Sequence, residues 1–255
     1  MRRERRLGVR WPDARLMTVT ARMRQGAVLH PDWPAPLDGL LASASRRRRL
    51  GEGYGSVHDP HTEDLPLARW PPREAASGGA WLWLASCAIV PDGAREDVHY
   101  WHRRFDHAAA EQAAGSRLPP MVYEAHGRYR AYRTPLAVTV TPVLTWRAIG
   151  TPDAVADLLA GVWCTGKKRS QGEGEVLGWE VADDGEPDLQ AVLWRPGGLI
   201  SRPVPARHAA VLGVPAAQEV PGAYRPPYWR PPPGPAEGKF SRQWAPVLAP
   251  WTATP

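Results

Sequence analysis

The segment Thr165-Gly-Lys-Lys-Arg-Ser-Gln-Gly-Glu-Gly174 is the stretch of this chain best suited to hold an anion. Gly166, Gly172 and Gly174 permit positive φ and close approach of the backbone to a ligand, while Lys167, Lys168, Arg169 and successive backbone N–H groups can surround a phosphate. Ser170 and Gln171 complete the candidate contact set. The loop is not a Walker A motif. Gly161 stands five positions upstream of Gly166, but Lys rather than Ser or Thr follows Gly166-Lys167, and the segment follows a predicted helix instead of opening one. ATP hydrolysis is thereby disfavoured, and a basic surface turn is the plainer reading of the pattern taken alone.

Two further clusters could bind phosphate. Arg46, Arg47, Arg48 and Arg49 follow the helically spaced apolar run Leu37-Asp-Gly-Leu-Leu-Ala-Ser-Ala44. Cations there oppose the negative end of the helix dipole, so Arg46 and Arg47 have a structural reason to be present as well as a ligand-binding one. Gly127-Arg-Tyr-Arg-Ala-Tyr-Arg133 interleaves basic and aromatic residues, and in an extended segment Arg128, Tyr129, Arg130, Tyr132 and Arg133 are expected to place arginines and tyrosines on opposite faces. His99, His102 and His107 with Asp106 could act as metal ligands or as an acid–base pair. Their neighbours Tyr100, Trp101, Arg103 and Arg104 give no reason for convergence, so ordinary surface histidines are the simpler reading. No catalytic residue, metal site or cofactor is assigned.

These residues need elements to position them. Met17 to Met23 alternates as a half-buried strand, and Trp81 to Val90 reads as a buried strand stopped by Pro91. Tyr100 to His107 fits a helix or a strand equally. Val122 to Arg133 and Ala137 to Ile149 suggest a long two-stranded feature. Thr151, Pro152 and Asp153 form a helix start, predicting a helix from Pro152 to Val162. Val176 to Val181 and Leu189 to Trp194 look like strands joined by a turn at Asp183 to Pro187. The order strand, helix, strand, strand, helix, strand is that of a ferredoxin-like α+β fold. Residues 1–15 form a basic extension, 16–200 the folded domain, and 201–255 a proline-rich, polyproline-like wrapping segment anchored by Tyr228, Trp229 and Trp244.

With 32 Lys and Arg against 26 Asp and Glu, the net charge of +6 is dominated by arginine, whose planar fork suits phosphates and bases. Thirteen Trp and seven Tyr could serve the core or base stacking. Cys87 and Cys164, the only cysteines, have neither disulfide-framework nor zinc spacing, which points to a reducing cytoplasm. No signal peptide or membrane span is read from the sequence.

Gly166 to Gly174 followed by Val176 and Trp179 resembles the glycine-rich loop of RAMP-type CRISPR proteins. Leu37 to Ala44 looks like the first helix of that group. With Gly127 to Arg133 before Pro135 and Leu136, the pattern is most similar to the Cas5-like subunit of type IV CRISPR systems, over roughly Met17 to Trp194. The resemblance implies a modified RRM core, a glycine-rich loop that grips the 5′ handle of a guide RNA, and a β-hairpin thumb at about Val122 to Val138. It further implies a subunit that caps a filament of backbone subunits and touches the large subunit. Glu173 departs from the pattern, and makes part of the loop's RNA contact expected to be indirect. Some relatives cut their guide precursor by metal-independent acid–base chemistry. His30, His126 and Tyr54 are the candidates for that alternative, whereas a separate processing subunit in type IV systems favours a non-catalytic scaffold.

Overall fold

The computed structural model describes residues 13–31, 33–51, 63–77, 80–117, 121–195, 199–205, 208, 211–212, 218–221, 223–226, 228 and 244–247. Among these, the strands are β1 (Arg15–Met23), β2 (Gly26–Ala27), β3 (Arg69–Trp70), β4 (Leu82–Trp83), β5 (Arg95–Arg103), β6 (Tyr132–Val140), β7 (Val143–Gly150), β8 (Val176–Gly185), β9 (Trp194–Arg195), β10 (Leu199–Ile200), β11 (Gln218–Pro221) and β12 (Trp244–Val247). The helices are α1 (Leu37–Leu50), α2 (Pro72–Ser77), α3 (His107–Ala114), α4 (Pro152–Leu159) and α5 (Leu189–Leu193). The protein is therefore mixed α/β, built on small antiparallel sheets, and no described helix is long and apolar enough to cross a membrane.

The first sheet has the order β7-β1-β8, with β1 antiparallel to both neighbours. The alternation read in β1 puts Met17, Val19 and Ala21 on one face, opposite Ala148, Trp146 and Leu144 of β7. That face packs on Leu37, Leu40 and Leu41 of α1 and Val155 and Leu159 of α4. Here Trp146 Nε1 donates to the Ala35 carbonyl at 2.7 Å and Trp179 Nε1 to the Val162 carbonyl at 2.6 Å, so both indoles bury without an orphaned N–H. The other face carries Thr18, Thr20, Arg22 and Arg147 instead of stacked aromatics.

Several expectations change. The helix α4 stops at Leu159, three residues short of Val162, and the chain turns through Ala160 and Gly161. Leu189 to Leu193 is a helix, not a strand: the Asp188 carboxylate accepts from Gln190 N–H, and Leu189, Val192 and Leu193 recur at helical spacing on the buried side. The stretch 81–90 is buried but ladders only at β4, with isolated bridges from Ala85 to Ala148 and from Ile89 to Thr145. Its backbone groups are taken elsewhere: Cys87 N–H donates to Ser201, Ala88 N–H to Pro34, and the Ser86 carbonyl accepts from Leu37 N–H. The ambiguous segment after Tyr100 resolves as strand through Arg103 and then α3, capped by Asp106.

A buried arginine takes two further carbonyls of this stretch. Arg202 is fully buried, and its guanidinium donates to the carbonyls of Trp83, Ala85 (2.8 Å) and Tyr224, to Asp38 Oδ2 at 3.1 Å and to Tyr228 Oη at 3.3 Å. Tyr228 in turn donates to Asp38 Oδ1 at 2.7 Å. Burial opposes the charge on Arg202, yet the Asp38 carboxylate, its hydrogen bond and the other groups around the guanidinium together outweigh burial, and the guanidinium pKa is raised. Burial likewise pushes the Tyr228 phenol up, with Asp38 adding to it, and lifts the Cys87 thiol to about 12. This cluster joins the start of α1 to residues 201–228, which also supply Val204, Leu212 and Tyr224 to a second core around Trp70, Leu82 and Ile149.

Removing one member of a buried ion pair strands the other. Arg202→Met should therefore lower the unfolding free energy by about 3–5 kcal/mol in a urea titration. Tyr228→Phe, which removes only one hydroxyl, should cost about 1–2 kcal/mol. An Arg202→Met loss below about 1 kcal/mol would contradict this role for the cluster.

Candidate nucleic-acid interface

The glycine-rich loop starts where α4 ends and closes on itself before β8. Thr165 N–H donates to the Gly174 carbonyl at 2.8 Å, and a Cβ at Gly174, where φ is +77°, would sit 1.8 Å from the Thr165 carbonyl oxygen. Only glycine fits there. Lys168 also takes a left-handed conformation, φ +59°, leading into a short 3-10 turn over Arg169–Gln171. Lys167 N–H donates to the Val28 carbonyl, and the N–H groups of Gln171 and Gly172 to carbonyls within the loop. Those amides are used internally. What the loop offers outward is side chains, with Lys167, Arg169, Ser170 and Gln171 all exposed.

The hairpin is formed by β5 and β6, not by 122–138, and the residues between them hold α3 and a 3-10 turn at Gly127–Tyr129. Arg128, Tyr129 and Arg130 thus lie in the connection instead of an extended strand, and Tyr132 and Arg133 open β6. Tyr132 pairs with Arg103 and shares its face with Trp101, and Arg133 packs 3.8 Å from the Tyr100 ring centroid on the opposite face. Each face therefore mixes a tyrosine with an arginine, which corrects the expected segregation.

Two contacts seat the loop on the hairpin. Lys168 Nζ lies 3.8 Å from the Trp101 ring centroid. Glu173 Oε1 lies 2.8 Å from His99 Nδ1. The acidic residue that departs from the family pattern thus serves as the hairpin's partner, a role that only the fold reveals. Its hydrogen bond holds the His99 pKa above the ordinary imidazole value of 6.5, against a smaller opposing effect of burial, with the charges of Glu173 and Asp97 adding to it.

On its other side the loop borders an open groove of about 820 Å³ between α1 and α4. Leu40, Leu158 and Val162 are among its apolar lining, and Arg47, Arg48, Lys168 and Arg169 its cations. Arg48 is held by Asp157, at 2.6 Å from its carboxylate. Arg169 has no carboxylate within ion-pair distance among the described residues. Arg46 does not line the groove. Trp163, unremarked in the sequence, stands at the groove's edge with 62% of its surface exposed. The readable signal was its position, an aromatic between a helix end and a glycine-rich basic loop.

The described candidates His99, His107, His30 and His126 each engage a different neighbour. His99 pairs with Glu173, His107 Nε2 with Glu124 at 3.0 Å, and His30 Nδ1 accepts from Trp33 N–H at 3.4 Å. His126 stacks on Tyr123 at 5.2 Å, and Tyr54 lies outside the described residues. Among the described residues, no group of three His, Cys, Asp or Glu could hold a metal ion.

A raised folded-state pKa means that the His99 contact stabilises fully below the unfolded imidazole value and is lost as pH rises through the folded one. An NMR titration should therefore give His99 a pKa above 6.5, returning toward that value in Glu173→Gln. An identical titration in wild type and variant would contradict the contact.

No curated protein matches the chain. A family model does, that of CRISPR type IV associated protein Csf3, over residues 16–232, a span that takes in the loop, both groove helices, the hairpin and the Asp38–Arg202–Tyr228 cluster. On that match the chain belongs to the CRISPR type IV associated Csf3 family, the Cas5-like subunit of type IV systems.

Proposed function

We propose that this chain is a non-catalytic RNA-binding subunit of a type IV CRISPR ribonucleoprotein, holding the 5′ handle of the guide and capping the filament of backbone subunits beside the large subunit. The observation that carries the reading is the continuity of one basic and aromatic surface. Lys168 belongs both to the groove edge and, through Trp101, to the hairpin. A phosphate chain can therefore run from Arg47 and Arg169 past Lys168 to Arg103, which shares the Trp101 face of the hairpin, without leaving cationic surface.

The fold supports the same reading. The order β8-β1-β7, the bridges of 85 and 89 to β7, and α1 and α4 on one face fit a ferredoxin-like RAMP core, with the β5–β6 hairpin as its thumb. The sheet's outer face lacks the stacked aromatics that an RRM uses for base reading, which turns attention to the loop side. The two free cysteines, both buried, suit a reducing cytoplasm. As a scaffold the chain leaves repeat RNA uncut.

Replacing Lys167, Lys168 and Arg169 together by Ala should weaken binding of repeat RNA and reduce the log–log salt slope by about two units, if each neutralises one phosphate of a single strand. An unchanged slope would overturn the assignment of the loop. The same purified chain, incubated with labelled repeat RNA and EDTA, should leave the RNA intact. Site-specific cutting lost in His30→Ala or His126→Ala would favour a nuclease instead.

A further inference from the structure

Trp163 has no structural task that explains its exposure. Its backbone is fixed, since its carbonyl accepts from Val176 N–H at 2.9 Å, but its indole projects into solvent. Trp146 and Trp179, by contrast, are buried or half-buried with their N–H groups bonded. At 62% exposed, Trp163 is the most exposed tryptophan among the described residues. Here it borders a groove of about 820 Å³, within the range of cavities that hold a small organic group.

The groove is charged in a specific manner. Arg47 comes from α1 and Arg169 from the loop, so cations of two different elements line the groove, together with Cys164. Apolar Leu40 and Leu158 line the interior. Cations on two walls, an apolar lining and an aromatic edge match a nucleotide: planar, apolar on its faces, and tethered to phosphates. An apolar protein side chain would not use the arginines, and an acidic one would not use the indole.

We propose that Trp163 is a stacking platform for one unpaired base of the bound RNA, whose flanking phosphates lie on Arg47 and Arg169. This rests on the RNA-binding reading above but extends it to a site between α1 and α4, away from the hairpin. Because every base has a π-face, the site takes any base and discriminates bases from bare anions.

The test compares an eight-nucleotide oligoadenylate with inorganic polyphosphate of similar charge. Trp163→Ala should weaken oligoadenylate binding about 5- to 150-fold, the range that stacking on an aromatic gives per base. The salt slope and the polyphosphate affinity should not move. Trp163→Phe should restore most of the affinity, and Trp163→Leu, apolar but without a π-face, should not. Arg169→Ala should weaken both probes and reduce the slope by about 0.7. If wild type binds oligoadenylate but Trp163→Ala binds it equally well, the stacking site is wrong while the loop assignment stands. Loss of a backbone-subunit contact in that variant, with RNA affinity intact, would also overturn it and make the groove a protein interface. Wild type that binds neither probe would overturn this proposal together with the RNA-binding reading.

Discussion

The buried ion pair between Asp38 and Arg202 is the constraint on which the arrangement depends. The two residues are 164 positions apart in sequence and nearly inaccessible. A guanidinium in such a place needs most of its donors satisfied, and Arg202 finds them on carbonyls of 83, 85 and 224 as well as on Asp38. The carbonyls of 83 and 85, in a stretch apolar enough for a central strand, are thereby engaged by a side chain. The ion pair also fixes the first turn of α1, because Asp38 is the second residue of that helix. The far end of α1 then carries Arg47 to the groove.

Several of the described arginines are paired with carboxylates. Arg15 reaches Asp183 and Glu186, Arg24 reaches Glu175, Arg48 reaches Asp157, and Arg49 reaches Glu63. Such exposed pairs contribute little to stability, on the order of 0–1 kcal/mol each. Their effect is to localise what remains. A net +6 spread evenly would mark no site; with these arginines neutralised, Arg169 beside the groove is among the cations left to act on a ligand. Lys168 stacks on Trp101, so it joins the loop to the hairpin and contributes to the local potential.

What was legible in the sequence was local. The spacing of Gly166, Gly172 and Gly174 around three cations announced a loop with left-handed backbone at those glycines, and the periodicity of Leu37, Leu40 and Leu41 and of Val155 and Leu159 announced the two helices that flank the groove. The family pattern could be recognised for the same reason. What escaped was set by partners distant in the chain. Nothing in 95–103 says that it pairs with 132–140, because His99, Trp101 and Arg103 read as a polar segment until the loop supplies Glu173 and Lys168. The α5 error came from taking Leu189 to Trp194 by apolar content when Leu189, Val192 and Leu193 already carried helical spacing. Arg202 gave no signal, since a lone arginine before a proline reads as surface.

The central claim is that RNA lies along the loop, hairpin and groove. The most direct measurement is photocross-linking of guide RNA to the chain in the assembled complex, with the linked residues mapped by mass spectrometry. The account predicts links to Trp163, to Lys168 and to Tyr132, all involving nucleotides near the 5′ end of the guide. Links confined to the outer face of the first sheet, at Thr18, Thr20 or Arg147, would contradict it.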